Sequence, residues 1–131
     1  MTNTRLFYFA ADMKLKIVPL TLLLLLGFGS KVYAEQDNAV SQRYLATKYL
    51  IGDEVLQDYK EAAKLMMKAA QSGDGLAQYN LGIMYLNSYG LKFSPKAAKY
   101  WIKKSYENPN TPSNTSESIK KTWSDWGLGR L

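Results

Sequence analysis

The chain has 131 residues, of which 47% are hydrophobic and 21% charged, and its formal net charge is +6. That length suits one domain, or one domain and a processed segment. The sequence contains no cysteine and no histidine. Their lack excludes disulfides, thiolate metal ligands, a cysteine nucleophile and a Ser-His-Asp triad, and it removes the commonest metal ligand. We therefore expect no cofactor and no metal site.

The first 34 residues have the composition of a targeting segment. Lys14 and Lys16 precede an apolar run of 13 residues, 17–29, and Val32 and Ala34 stand at the −3 and −1 positions of a cut after Ala34. This order is typical of a secretory signal peptide, and the run is short for a membrane span, which needs about 20 residues. The sequence predicts cleavage after Ala34 and a periplasmic or secreted protein, with an uncleaved signal anchor as the alternative.

Residues 1–12 fit the leader poorly, because Asp12 places an acid beside the basic residues. Our hypothesis is that translation starts at Met13. Removal of residues 1–34 leaves 13 basic and 10 acidic residues, a net charge of +3. Since the basic excess of the whole chain comes partly from the leader, we do not expect a nucleic-acid partner.

The remainder contains an internal repeat. Residues 41–52 align with residues 77–88 at a spacing of 36. The paired positions are Leu45 with Leu81, Tyr49 with Tyr85, and Gln42 with Gln78. Further along, residues 62–64 and 97–99 both read Ala-Ala-Lys at a spacing of 35, which predicts a shorter loop in the second copy. Each copy is predicted to be a helix–loop–helix hairpin.

Capping residues mark the predicted helix starts. Asp58, with Glu61 three residues later, is a capping-box arrangement for the second helix. Ser94 and Pro95 are typical of an N-cap and a first helical position for the fourth helix. Asp74, after a glycine, suits the start of the third helix.

A short C-terminal helix is predicted after Pro112, with Asn114 as its N-cap and Glu117 at the third position. Its inward side is expected to be Ile119, Trp123 and Trp126. We expect Gly127–Leu131 to be frayed.

Helical spacing predicts an all-α fold whose apolar faces stack. The expected shared core is Leu45, Tyr49, Leu65, Ala69, Leu81, Tyr85, Ala98, Trp101, Ile102 and Ser105. Ala46 and Gly82, and Ala62 and Ala97, are small where helices approach closely. A single hairpin cannot bury its apolar stripe, so a neighbouring hairpin or the C-terminal helix must cover it. An uncovered end could pair with a second copy of the chain, which leaves a homo-oligomer open.

The pattern resembles the Sel-one-like repeat family, whose members are relatives of tetratricopeptide repeats. The first unit matches at Leu45, Tyr49, Gly52, Val55, Asp58, Ala62, Lys68-Ala69-Ala70 and Gly73, and departs at Ala46, Glu54 and Leu65. The second matches at Ala77, Leu81-Gly82, Tyr85, Gly90, Lys96-Ala97, Tyr100 and Lys103, and departs at Ser88, Ser94 and Lys104-Ser105. Glycine is the family's residue at the positions of Ala46 and Glu54.

The resemblance implies a short right-handed α-solenoid of two repeats, about 39–74 and 75–108 within a region 35–108, with residues 109–131 as loop and capping helix. Such families act mainly as non-catalytic scaffolds that bind a protein or peptide on a concave face. Carried over by position, the concave-face residues are Arg43, Thr47, Tyr79, Ile83 and Asn87.

Two other functions stay open from the sequence. One is a dedicated inhibitor or immunity protein for a single partner. The other is a cell-wall or β-lactam hydrolase, since some cysteine-rich exported relatives have been linked to β-lactams. We expect no nucleophile of the Ser-x-x-Lys type.

Charged residues give two further alternatives. Asp53, Glu54 and Asp58 are interpreted as a solvent loop before a capped helix and not as a calcium site. The lysines that recur along the second and fourth helices indicate a solvated face, with a basic face for anionic lipid or an acidic partner as the alternative.

Overall fold

The computed structural model describes residues 28–131, with side chains from residue 38 onward. This part folds into five α-helices and contains no strand. The helices are α1 (Phe28–Ile51), α2 (Tyr59–Gln71), α3 (Gly75–Asn87), α4 (Pro95–Glu107) and α5 (Thr115–Asp125). The predicted all-α fold of two helical hairpins and a C-terminal helix is confirmed.

The predicted leader lies mostly outside the described residues, as does the hypothetical start at Met13. α1 begins at Phe28 and continues through Ala34, so cleavage after Ala34 stays a prediction. Within residues 28–131, no helix combines the length and hydropathy that a membrane span requires.

The two hairpins repeat at a spacing of 36 residues throughout. The loop after α1 and the loop after α3 each contain seven residues, 52–58 and 88–94, and α2 and α4 each contain 13. The prediction of a shorter second loop is therefore wrong. The prediction aligned the identical Ala-Ala-Lys segments 62–64 and 97–99 at a spacing of 35. The buried residues instead correspond at a spacing of 36, as Ala62 does with Ala98 and Met66 with Ile102.

One backbone hydrogen bond fixes each loop against the helix before it. The amide of Asp58 donates to the carbonyl of Tyr49 at 3.0 Å, and the amide of Ser94 donates to the carbonyl of Tyr85 at 3.2 Å. Both donors cap the next helix, and both acceptors lie near the end of the preceding one. The bond therefore sets where the second helix of each hairpin begins.

The loops also share their left-handed backbone positions. Gly52 and its counterpart Ser88 have φ angles of 74° and 58°, and Glu54 and its counterpart Gly90 have 59° and 69°. Residues with positive φ are usually glycine because a Cβ crowds the backbone there. The family's preference for glycine at the position of Glu54 thus corresponds to a real conformational requirement in both hairpins.

The predicted N-caps of α2, α3 and α4 are confirmed. Asp58 accepts hydrogen bonds from the amides of Lys60 and Glu61, at 2.9 and 3.0 Å. Ser94 Oγ accepts from the amide of Ala97 at 3.2 Å. No capping box forms at α2, because the amide of Asp58 is bonded to the Tyr49 carbonyl and the Glu61 carboxylate binds Lys64 at 3.3 Å.

The prediction that the Asn114 side chain caps α5 is wrong. Asn114 precedes the helix but makes no side-chain capping bond, and its backbone is already helical. The helix starts instead from backbone turns, with the amide of Thr115 donating to the carbonyl of Pro112 at 2.9 Å.

The core consists of two clusters. The first joins the two hairpins through Ala46, Ala62, Ala63, Met66, Ala69, Ala70, Ala77, Leu81 and Met84. The second joins the second hairpin to α5 and the tail through Leu86, Ala98, Ile102, Ile119, Trp123 and Leu128. The helix α5 therefore covers the end of the stack, as predicted.

Most predicted core residues are buried or half-buried, and Leu45 is the exception. Ala69, Leu81, Ala98, Ile102 and Ser105 are buried, and Tyr49, Leu65, Tyr85 and Trp101 are half-buried. Leu45 is 39% exposed although its counterpart Leu81 is fully buried. Leu81 lies inside the cluster between the hairpins, whereas Leu45 belongs to the first helix of the described stack.

The C-terminal tail also departs from prediction. Ile119 and Trp123 are buried as expected, but Trp126 is exposed and Leu128 takes the inward place. Trp123 Nε1 donates to the carbonyl of Gly129 at 2.8 Å, so the tail is held against α5 and is not frayed there. Gly127, with a φ of 57°, makes the turn that brings the chain back.

Gly90 is the tightest contact between the hairpins. A Cβ at this position would overlap the backbone of Tyr59, the first residue of α2. Glu54 occupies the same loop position in the first hairpin, and within the described residues it has no earlier hairpin to contact.

We expect Gly90→Ala to lower the free energy of unfolding by about 2–5 kcal/mol, because the left-handed backbone costs an alanine ~1–2 kcal/mol and overpacking adds ~1–3. Urea unfolding followed by circular dichroism measures this. Gly127→Ala is the control, since its φ is 57° but a Cβ there meets nothing within 4 Å. It should lose only the ~1–2 kcal/mol of backbone strain. Equal losses would contradict the proposed contact.

Candidate interaction groove

A groove of about 360 Å³ lies between the first helices of the two hairpins. Its walls come from the C-terminal half of α1, from α3, from the first residue of α2 and from the loop after α3. The lining residues are Thr47, Leu50, Ile51, Tyr59, Asn80, Ile83, Met84 and Tyr89. The lining is largely apolar, which is usual for a ligand site.

Two tyrosines form the rim of the groove at the loop end. The rings of Tyr59 and Tyr89 stack with centroids 5.0 Å apart and an interplanar angle of 22°. The close approach of Gly90 to the Tyr59 backbone places Tyr89 there. The rim is therefore fixed by the contact between the hairpins and does not depend on a bound partner.

The opposite wall is apolar and open to solvent. Ile51 is 67% exposed at the end of α1, beside the half-buried Leu50. Thr47 donates its hydroxyl to the carbonyl of Arg43 at 2.9 Å, so that donor is satisfied within α1. The groove is therefore lined by exposed apolar surface and by few polar groups that are available to a partner.

Three of the five residues predicted for the concave face lie at or next to this groove. Thr47 and Ile83 are counterparts in the two hairpins, and both line it. Asn87 is exposed and donates its side-chain amide to the carbonyl of Ile83 at 2.9 Å. Their binding role stays a prediction.

Arg43, the fourth predicted residue, is tied to the second hairpin. Its Nε lies 3.0 Å from both carboxylate oxygens of Asp74. Asp74 is buried and also accepts a hydrogen bond from the amide of Ala77 at 2.7 Å, which caps α3. The Arg43 side chain therefore joins α1 to the start of α3.

Tyr79, the fifth predicted residue, is engaged by the C-terminal helix. Its hydroxyl lies 2.9 Å from Thr122 Oγ1 and 3.4 Å from the carbonyl of Ser118. Helix α5 thus occupies the side of α3 that the repeat pattern assigned to a partner. The predicted residues consequently do not form one continuous free surface.

The groove also contains residues that the sequence reasoning missed. Ile51 is the counterpart of Asn87 at the spacing of 36, so the repeat itself could have identified it. Tyr59 and Tyr89 had no such signal, because their counterparts at the spacing of 36 are Pro95 and Asp53.

Two of the three acidic loop residues, Glu54 and Asp58, make local contacts. Lys48 hydrogen-bonds the carboxylate of Glu54, which lowers the pKa of Glu54 and raises the pKa of Lys48. Asp58 caps α2. Within the described chain no group of three potential ligands could hold a metal ion.

The sequence does contain one Ser-x-x-Lys spacing, contrary to our expectation, at Ser118 and Lys121 of α5. Lys121 donates to Asp125 at 2.6 Å, and that hydrogen bond, with the carboxylate charge, raises the pKa of Lys121. A lysine that activates a serine must lose its proton. The local charges therefore favour the inactive, protonated form.

Comparison with known proteins gave one match. The family model described as Sel1 repeat matches residues 39–74 and 75–110, and each matched segment has the 36-residue length seen in the structure. No curated protein and no solved structure matches the chain.

Asp74→Ala is expected to lower the free energy of unfolding by about 2–4 kcal/mol, since it removes a helix cap and charged hydrogen bonds to Arg43. Asp58→Ala is the matched control: it removes an exposed cap of the same type without an interhelical partner, and should cost about 1 kcal/mol. Urea unfolding of both variants gives the comparison. If Asp58→Ala cost as much as Asp74→Ala, the Arg43 contact would contribute nothing.

Proposed function

Because the chain belongs to the Sel1 repeat family, whose repeats are generally protein–protein interaction modules, we propose that it is an exported scaffold that binds an apolar segment of a protein partner in the groove between α1 and α3. Sel1 repeat proteins are typically non-catalytic, and the proposal requires no catalytic residue.

The observation that carries the proposal is apolar surface at a preformed concave site. Ile51 is two-thirds exposed and lines the same groove as a stacked tyrosine pair. Contiguous exposed apolar surface, and tyrosine in particular, marks binding sites on soluble proteins. The size of the groove, about 360 Å³, lies within the range of ligand pockets.

The polar groups of the groove favour an apolar anchor from the partner. Thr47 is bonded within its helix, and Asn80 is the one side-chain amide among the lining residues. A charged partner residue would lose hydration without gaining a countercharge. An amphipathic helix or an extended segment with large apolar side chains meets these conditions.

The proposed location outside the cytoplasm rests on the leader. The basic, apolar and small residues of 13–34 support export and cleavage after Ala34. The groove does not depend on the leader, because its first lining residue is Thr47.

Ile83→Asp should weaken partner binding at least tenfold, because it places a charge in the apolar lining. Peptides selected from a random library on the full chain are the probe, with affinities from fluorescence anisotropy. Leu56→Asp is the control, since Leu56 is 92% exposed in the loop outside the groove. Arg43 and Tyr79 are unsuitable test positions because they hold the helices together.

Equal binding by both aspartate variants, or selected peptides without large apolar residues, would remove the groove as the binding site. Circular dichroism of both variants separates lost binding from lost fold.

Expression in a bacterial host should yield a mature chain that begins at Glu35, measured as intact mass in the periplasmic fraction. Ala34→Arg should block processing, because the −1 position of a signal peptide requires a small residue. Tyr33→Arg is the matched control and should still be cleaved, since the −2 position is not restricted in this way. An unprocessed wild-type chain would contradict cleavage without affecting the groove.

A further inference from the structure

We propose that the second hairpin carries a membrane-contact patch, separate from the groove, that docks on an anionic phospholipid surface. The patch comprises Lys92, Phe93, Lys96, Lys99, Trp126 and Arg130, at the start of α4 and the end of α5.

Two exposed aromatic side chains form the centre of the patch. The rings of Phe93 and Trp126 lie 6.5 Å apart, and the residues are 51% and 44% exposed. Neither lines the groove. Tryptophan is enriched at the level of the lipid headgroups, and phenylalanine and tryptophan are typical of the apolar face of interfacial helices.

Basic residues lie close in the chain to Phe93 or follow Trp126 in the tail. Lys92 is adjacent to Phe93 in the chain, and Lys96 lies in the first turn of α4. Lys99 Nζ lies 5.8 Å from the centroid of the Trp123 ring, and beside Gly129, which places it near Arg130. These cations have no ion pair with a carboxylate within the described residues, unlike Lys103 and Lys121, which pair with Glu107 and Asp125.

The first hairpin shows that the fold does not need Lys92 or Lys99, although Lys96 has Lys60 as its counterpart. Its residues 56–71 carry three basic and two acidic side chains, whereas the equivalent residues 92–107 carry five basic and one acidic. The individual replacements include Leu56 by Lys92, Asp58 by Ser94, Glu61 by Ala97 and Ala63 by Lys99.

The replacements also remove negative charge where a helix favours it. An α-helix has a positive N-terminal end, which Asp58 and Glu61 complement in α2. In α4 the first turn contains no acid, so Lys96, the counterpart of Lys60 in α2, is not offset by an acid in the same turn. The helix end and the lysines therefore add to one positive potential, at a small cost to the helix.

The type of cation favours a lipid surface over an acidic protein. Lysine is a compact, strongly hydrated charge, whereas arginine is preferred for paired contacts with a carboxylate. Three of the four cations of the patch are lysines. Diffuse attraction to many headgroups suits lysines around an exposed aromatic pair.

Vesicle sedimentation of the full chain tests the proposal, with phosphatidylcholine vesicles and with vesicles containing 30% phosphatidylglycerol. The wild type should bind the anionic vesicles more strongly, and added salt should reduce that binding. The triple variant Lys92→Gln, Lys96→Gln, Lys99→Gln should lower the partition coefficient on the order of 100-fold, at roughly fivefold per lysine.

The equivalent helix of the first hairpin supplies the matched control. Lys60→Gln, Lys64→Gln, Lys68→Gln removes the same charge from α2 and should reduce binding less than about tenfold, since distant charges are screened. The leader is present in every variant, so its own affinity for lipid cancels from the comparison.

The aromatic pair has a separate readout. Trp126→Ala should weaken binding to anionic vesicles and remove most of the blue shift of tryptophan fluorescence, whereas Trp126→Phe should retain binding. Circular dichroism of each variant checks that the helices are intact.

Equal loss in the two lysine triples, no preference for anionic vesicles, or binding only to an acidic protein would overturn the proposal. None of these outcomes bears on peptide binding in the groove.

Discussion

The structure depends on the hydrogen bond between the capping residue of each second helix and a tyrosine carbonyl of the first. The bond from Asp58 to Tyr49 recurs from Ser94 to Tyr85, although the capping side chains differ. A loop of seven residues with two left-handed positions closes between the bonded groups in each case. Because donor and acceptor are backbone groups, the hairpin geometry survives wide changes in sequence, and the two units can specialise.

The groove follows from this geometry. Equal loops bring α1 and α3 to equivalent positions, so Thr47 and Ile83 face the same space. The second loop then reaches the start of α2, where Gly90 permits a contact that a side chain would prevent. That contact sets Tyr89 against Tyr59. An apolar site between hairpins therefore arises from packing that the stack needs in any case.

The sequence predicted the features that repeat, because the same residue types recur at the same spacing. Caps at Asp58 and Ser94 and the buried Leu81 are of this kind. It did not predict features that occur once. The stacking of Tyr59 on Tyr89, the hydrogen bond of Tyr79 to α5 and the buried Leu128 join segments without a counterpart, so no periodicity reveals them. Leu45 was predicted to be buried like its counterpart Leu81 but is exposed, because burial also depends on the position of a helix in the stack.

The two hairpins differ most where the stack places no demand on them. Helix α5 covers one side of the second hairpin and binds Tyr79, which leaves the groove at the junction with the first hairpin as the open apolar surface. At the start of α4 the acids Asp58 and Glu61 of the first hairpin are replaced by Ser94 and Ala97, and Lys92 and Lys99 replace Leu56 and Ala63. The loss of both acids removes charges that complement the positive end of the helix, so stability of the helix does not account for the change. The proposed membrane-contact patch accounts for it.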